Sequence, residues 1–131
     1  MRKFLTTSLA LMIAAAALAG CVMSDQRGLV GNALDSRYSP SEQRMALQSV
    51  RVYPVAPSGA QAIGDISTRR CHENFTEAAP SEEAITSQLR VMAYGQAADG
   101  ITNVRFVKLN GLLANCWYVL EGRATMLSFP K

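Results

Sequence analysis

The feature that most limits what this chain can fold into is its N-terminal leader. The chain begins with a basic Met1-Arg2-Lys3, continues from Leu9 to Ala19 as a short run rich in alanine and leucine, and passes through Gly20 to Cys21. A basic start, an apolar run and then small residues are typical of a secretory signal peptide. We therefore expect residues 1–20 to be cleaved, which leaves 111 residues for one small domain and a tether.

The cysteine at the end of the leader indicates a lipid anchor. The segment Leu18-Ala19-Gly20-Cys21 resembles the bacterial lipobox, in which the cysteine receives acyl chains and becomes the first residue of the mature protein. A membrane-spanning helix is the alternative, but spanning takes about 20 apolar residues, and this run is shorter. In Gram-negative lipoproteins an aspartate after the cysteine causes inner-membrane retention, and this chain has Val22 there. The resemblance implies attachment through Cys21 to the outer membrane, with the domain facing the periplasm.

The charge balance argues against a nucleic-acid partner. Removal of Arg2 and Lys3 with the leader lowers the formal net charge from +3 to +1. Binding to nucleic acid would require clustered lysine and arginine side chains. The sequence also contains no phosphate-binding loop, nucleophile motif or metal-ligand spacing, so we predict neither an enzyme nor a cofactor.

Residues 21–48 are interpreted as the lipidated N-terminus followed by a flexible tether. They are rich in serine, aspartate, asparagine, glutamine and arginine, with no sustained apolar period. Such a segment buries too little apolar surface to offset the entropy lost on ordering. Residues 41–47 could form one or two helical turns with Ser41 as the N-cap, but an isolated helix of that length is marginal.

Residues 49–131 are predicted to form a small two-layer α+β domain with strands and helix in the order β-β-α-β-β. One helix with an apolar stripe and four strands pack most economically with the helix covering one face of the sheet. The predicted strands are 50–55, 62–67, 101–109 and 116–129, and residues 68–79 read as a loop. The predicted helix opens at Pro80-Ser81 and ends at Asp99-Gly100, with Gly100 as the C-cap. Gly122 indicates a bulge or a close backbone approach.

Cys71 and Cys116 are the two cysteines that remain after lipidation. In an exported chain the simplest expectation is a disulfide, which would close a loop of 46 residues counting both ends. A metal site that includes His72 and a pair of free thiols stay open as alternatives, although zinc needs at least three protein ligands. Trp117 and Tyr118 follow the second cysteine and are expected to pack in the core or against the disulfide, with a partner surface as the alternative.

Several segments together resemble the RcsF family of outer-membrane stress-sensor lipoproteins. They are Ile63-Gly64-Asp65-Ile66-Ser67, Cys71, the helix after Pro80-Ser81, Cys116 and Glu121-Gly122-Arg123-Ala124. The resemblance covers roughly residues 50–128 and includes the lipobox. That family has a second disulfide, for which this chain has no further cysteines, and it is related to dodecin-like YbjQ domains, which form rings.

The resemblance implies envelope-stress sensing by protein–protein contact. The implied partners are envelope proteins, either outer-membrane β-barrels or inner-membrane signalling proteins, and the membrane is reached through the lipid anchor. The alternative is a structural or assembly-associated lipoprotein that self-associates and does not signal. A small enzyme or a ligand-binding module is the third hypothesis.

Overall fold

The structure, a computed structural model, describes residues 37–131 and consists of two α-helices and a mixed four-stranded sheet. The helices are α1 (Pro40–Ser49) and α2 (Glu82–Gly95), and the strands are β1 (Arg51–Tyr53), β2 (Gln61–His72), β3 (Gly100–Asn110) and β4 (Tyr118–Ser128). The predicted α+β class with four strands is therefore confirmed. The prediction of a single helix is wrong, because α1 precedes the first strand.

The strands lie in the order β1-β3-β4-β2, with β4 antiparallel to both of its long neighbours and β1 parallel to β3. Helix α2 contacts β2, β3 and β4 and covers one face of the sheet. Side chains alternate between the two faces of a strand, so Thr68 and Gly122 face α2, whereas Arg69 and Glu121 lie on the opposite, open face.

Helix α1 is held by a cap at its start and by contacts with α2. Ser39 is the N-cap, and it forms a reciprocal capping box with Glu42. Arg90 of α2 donates hydrogen bonds to the carbonyl oxygens of Val50 (2.8 Å) and Leu47. The predicted tether extended to residue 48, but these contacts place residues 40–49 in the packed domain. A short helix that is marginal alone is stabilised here by its tertiary neighbours.

Helix α2 begins as predicted and ends earlier. The Ser81 hydroxyl accepts a hydrogen bond from the Ala84 backbone N–H (3.1 Å), and Glu82 and Glu83 occupy the first turn. The helix ends at Gly95, so the prediction that Gly100 is its C-cap is wrong. Gly100 is the first residue of β3 and is buried.

The core lies between α2 and the sheet. Its buried members are Val50, Ile66, Ile85, Leu89, Ala93, Ala98, Ile101, Ala124 and Met126. Strand β2 extends past the predicted end at residue 67 to His72, so the first part of the predicted loop 68–79 is a strand paired with β4. This extension carries Cys71 to the start of β4.

Candidate functional site

The disulfide at one end of the sheet joins two segments that are distant in sequence. Cys71 and Cys116 are bonded, with their Cα atoms 5.7 Å apart, as the cysteine count predicted. Cys71 lies in β2 opposite Val119, and Cys116 lies two residues before β4 begins. The bond therefore links the end of β2 to the connection between β3 and β4.

The connection between β3 and β4 holds Cys116 through a tight backbone turn. The Asn110 side chain accepts a hydrogen bond from the Leu112 N–H (2.9 Å), and a 3-10 turn follows at Leu112–Ala114. The Gly111 carbonyl accepts hydrogen bonds from the N–H groups of Ala114 and Cys116, both at 2.9 Å. A Cβ at Gly111 would come within 2.3 Å of the Cys116 carbonyl oxygen, so this position needs glycine.

Four large apolar side chains close to the two cysteines in sequence are exposed. They are Phe75, Leu112, Leu113 and Trp117, with 78%, 81%, 105% and 65% of their surface accessible, and we name them the apolar patch. Each lies within four residues of one of the two cysteines in sequence. Trp117 therefore does not pack in the core, which leaves the disulfide and a partner surface as the other positions expected for it. Phe75 and Trp117 lie next to each other, and neighbouring exposed apolar side chains are typical of an interaction surface.

Aromatic contacts connect the two loops that supply the apolar patch. The ring centroids of Phe75 and Trp117 are 6.2 Å apart, and that of His72 lies 6.3 Å from Trp117 and 5.0 Å from Tyr118. The Trp117 N–H donates to the His72 carbonyl oxygen at 2.8 Å. The patch is thus built on a strand end fixed by both a disulfide and backbone pairing.

A buried carboxylate on the open face was missed by the sequence reasoning. Glu121 is 1% exposed and forms ion pairs with Arg69 of β2 and Arg123 of β4. Burial by itself would raise the pKa of Glu121, but hydrogen bonds and charge from the two arginines outweigh burial and lower the pKa below 4.5. The sequence does indicate one of these ion pairs. Glu121 and Arg123 are two residues apart in a predicted strand, so their side chains lie on the same face.

Two further features concern metal binding and membrane spanning in residues 37–131. Within this range no group of three or more histidine, cysteine, aspartate and glutamate side chains is arranged to hold a metal ion. Helices long and apolar enough to cross a bilayer are likewise absent from that range. Cys21, the predicted lipidation site, lies outside the described residues.

Comparison with known protein families and with curated proteins finds no match to this chain. The functional argument therefore depends on the leader, the disulfide and the apolar patch.

Proposed function

We propose that this protein is an outer-membrane lipoprotein, anchored through Cys21, that senses or signals envelope stress by contact with other envelope proteins. The observation that carries the proposal is the apolar patch beside the disulfide of an exported domain. Exposing four large apolar side chains to water is unfavourable, and a partner that covers them would gain about 25 cal/mol for each Å² of apolar surface removed from water.

The patch lies at the end of the sheet away from the residues where the described chain begins. The Tyr38 hydroxyl packs on Gly95 at the end of α2, and nearby Asp99 donates its N–H to the Leu127 carbonyl oxygen (2.9 Å). The described chain therefore begins beside the end of β4, whereas the patch lies at its start. Eleven residues of strand separate these two ends by about 35 Å.

The proposal is tested with variants of the patch in the full-length chain. Leu112→Ser combined with Leu113→Ser removes much of the patch without touching a core residue, since both side chains are exposed. Val55→Ser is the matched control, because Val55 is 79% exposed and lies between β1 and β2, away from the disulfide. We expect the double variant to blunt an envelope-stress reporter and to lose photo-crosslinks to partner proteins, while the control behaves as wild type.

Two results would contradict the proposal. A deletion strain with an unaltered stress response would leave the structural or assembly role as the better hypothesis. Wild-type crosslinking by the double variant would show that the patch is not the contact surface. Anchoring is tested separately with Cys21→Ala, which should accumulate as precursor or leave the membrane fraction.

A further inference from the structure

Strand β2 has an open outer edge. Among residues 37–131, β2 pairs only with β4, and α2 lies on one face of the sheet. An open edge presents unpaired N–H and C=O groups, which proteins commonly protect by short strands, prolines, lysines or bulges. This strand has 12 residues, contains no proline or lysine, and has its irregularity near its start, between Ala62 and Gly64. From Gly64 onward the edge is regular and available for pairing.

The charges along this edge are self-complementary. Asp65, Ser67 and Arg69 alternate along β2 and therefore share the open face of the sheet. When two copies of β2 pair antiparallel about Ser67, Asp65 of each copy lies directly opposite Arg69 of the other. Two opposite-charge cross-strand pairs then form on one face, and each is stabilising. The Nε of Arg69 contacts Glu121, and an arginine has further N–H donors for a second carboxylate.

The neighbouring registers lack this match. Pairing centred on Asp65 places two carboxylates opposite each other, and pairing centred on Arg69 places two guanidinium groups opposite each other. Pairing centred on Ile66 or Thr68 gives neither Asp65 nor Arg69 an oppositely charged residue across the ladder. Like charges directly opposite each other are destabilising, so the charge pattern selects the register centred on Ser67.

We propose that a second copy of this chain binds at β2, through antiparallel pairing centred on Ser67, and joins the two four-stranded sheets into one of eight strands. The twofold axis is perpendicular to the sheet, so the contact is isologous and closes at a dimer. The inference goes beyond the proposed function and does not depend on it. It uses the edge of β2, whereas the apolar patch lies on the loops beside the disulfide.

A cysteine placed on the axis tests the register. In full-length chain produced in a bacterial host, Ser67→Cys puts two thiols directly opposite each other. Directly opposed residues of antiparallel strands have Cα atoms about 4.5–5.5 Å apart, within the range that a disulfide spans. Gln61→Cys is the control near the start of the same strand, where the irregularity between Ala62 and Gly64 places position 61 on the opposite face. Its two copies would lie about 40 Å apart in this register.

After mild oxidation we expect a covalent dimer of the Ser67→Cys variant and none of the Gln61→Cys variant. Mass mapping should join the two peptides that carry position 67 and leave the Cys71–Cys116 bond intact. Equal crosslinking of the two variants would overturn the proposal. So would a bond from position 67 to a different protein, which would indicate that another chain occupies the edge.

A charge reversal tests the complementarity. Asp65→Lys places a lysine opposite Arg69 in each of the two cross-strand pairs, and Glu77→Lys makes the same charge change in the exposed loop after β2. Sedimentation of the detergent-solubilised full-length chain should show dimerisation weakened about tenfold for Asp65→Lys and unchanged for Glu77→Lys. Equal dimerisation of the two variants, or a wild-type chain that stays monomeric at every concentration, would overturn the proposal. Neither result bears on stress signalling, which the reporter assay measures.

Discussion

Ile85 of α2 packs directly against Gly122 of β4, so that a Cβ added to the glycine would come within 2.2 Å of the Ile85 Cγ2. This contact lets the helix approach the middle of the sheet. The sequence had indicated a bulge or a close backbone approach at Gly122, and the structure shows a close side-chain approach instead. The register shifts occur in β2 between Ala62 and Gly64, and in β3 between Thr102 and Arg105.

We expect Gly122→Ala to lower the free energy of unfolding by about 1–3 kcal/mol, because the added methyl group forces α2 away from the sheet. Chemical denaturation measures the change. Ile85→Ala provides the control background, since it removes the atom that the methyl group would meet. In that background Gly122→Ala should lower the free energy of unfolding by less than in the wild type. An equally large decrease would show that the contact with Ile85 does not cause the destabilisation.

The disulfide should contribute a large part of the stability of this domain. Removal of the crosslink by Cys71→Ala is expected to reduce the free energy of unfolding by about 2–5 kcal/mol, because the unfolded chain gains conformational freedom. The measurement is denaturant unfolding with and without reductant. The double variant Cys71→Ala with Cys116→Ala separates crosslinking from packing. If reductant destabilised it as much as it destabilises wild type, the crosslink would not be the cause.

The ion pairs of Glu121 should make the domain sensitive to acid. Because its pKa is lower in the folded protein than in the unfolded chain, this group stabilises the fold fully above pH 4.5, and the stabilisation is lost as pH falls through the folded-state pKa. Glu121→Gln should lower the free energy of unfolding by about 2 kcal/mol at neutral pH. It should also flatten the stability profile in acid, below pH 4.5, where protonation of the carboxylate weakens the ion pairs of the wild type.

The matched control for this prediction is Glu73→Gln, which removes a carboxylate from an exposed loop. Its stability and acid dependence should follow those of wild type. A Glu121→Gln profile as steep as that of the wild type in acid would mean that other carboxylates dominate acid unfolding.

Arg90 should anchor α1 to the rest of the domain. Arg90→Met keeps much of the aliphatic stem and removes the hydrogen bonds to the carbonyl oxygens of Leu47 and Val50. We expect the free energy of unfolding to fall by about 1–3 kcal/mol. We also expect faster amide hydrogen exchange that is confined to residues 40–49. Arg105→Met is the control, because Arg105 is exposed on β3. Uniformly faster exchange across the sheet would contradict a local role for Arg90.

The tether prediction is now restricted to residues 22–36, which lie outside the described residues. If the length of the tether limits how far the domain extends from the membrane, shortening this segment should weaken the stress response. The thermal unfolding midpoint should stay unchanged, since no described residue is removed. A shortened variant with a full stress response would contradict a role for tether length. Shortening that extended into residues 40–49 should lower the midpoint, because α1 packs on α2.

The sequence by itself determined the parts of this fold whose signals are local. The apolar spacing and first-turn carboxylates of α2, the apolar runs of β3 and β4, and the cysteine count each specify an element or a bond without reference to distant residues. Three features depended on tertiary structure. Helix α1 is too short to be stable alone and needs Arg90. The last residues of β2 are polar and become a strand because β4 pairs with them, so that Arg69 meets Glu121. The apolar patch exists because the disulfide and the turn at Gly111 bring two loops together, and a hydropathy pattern carries no information about which loops meet.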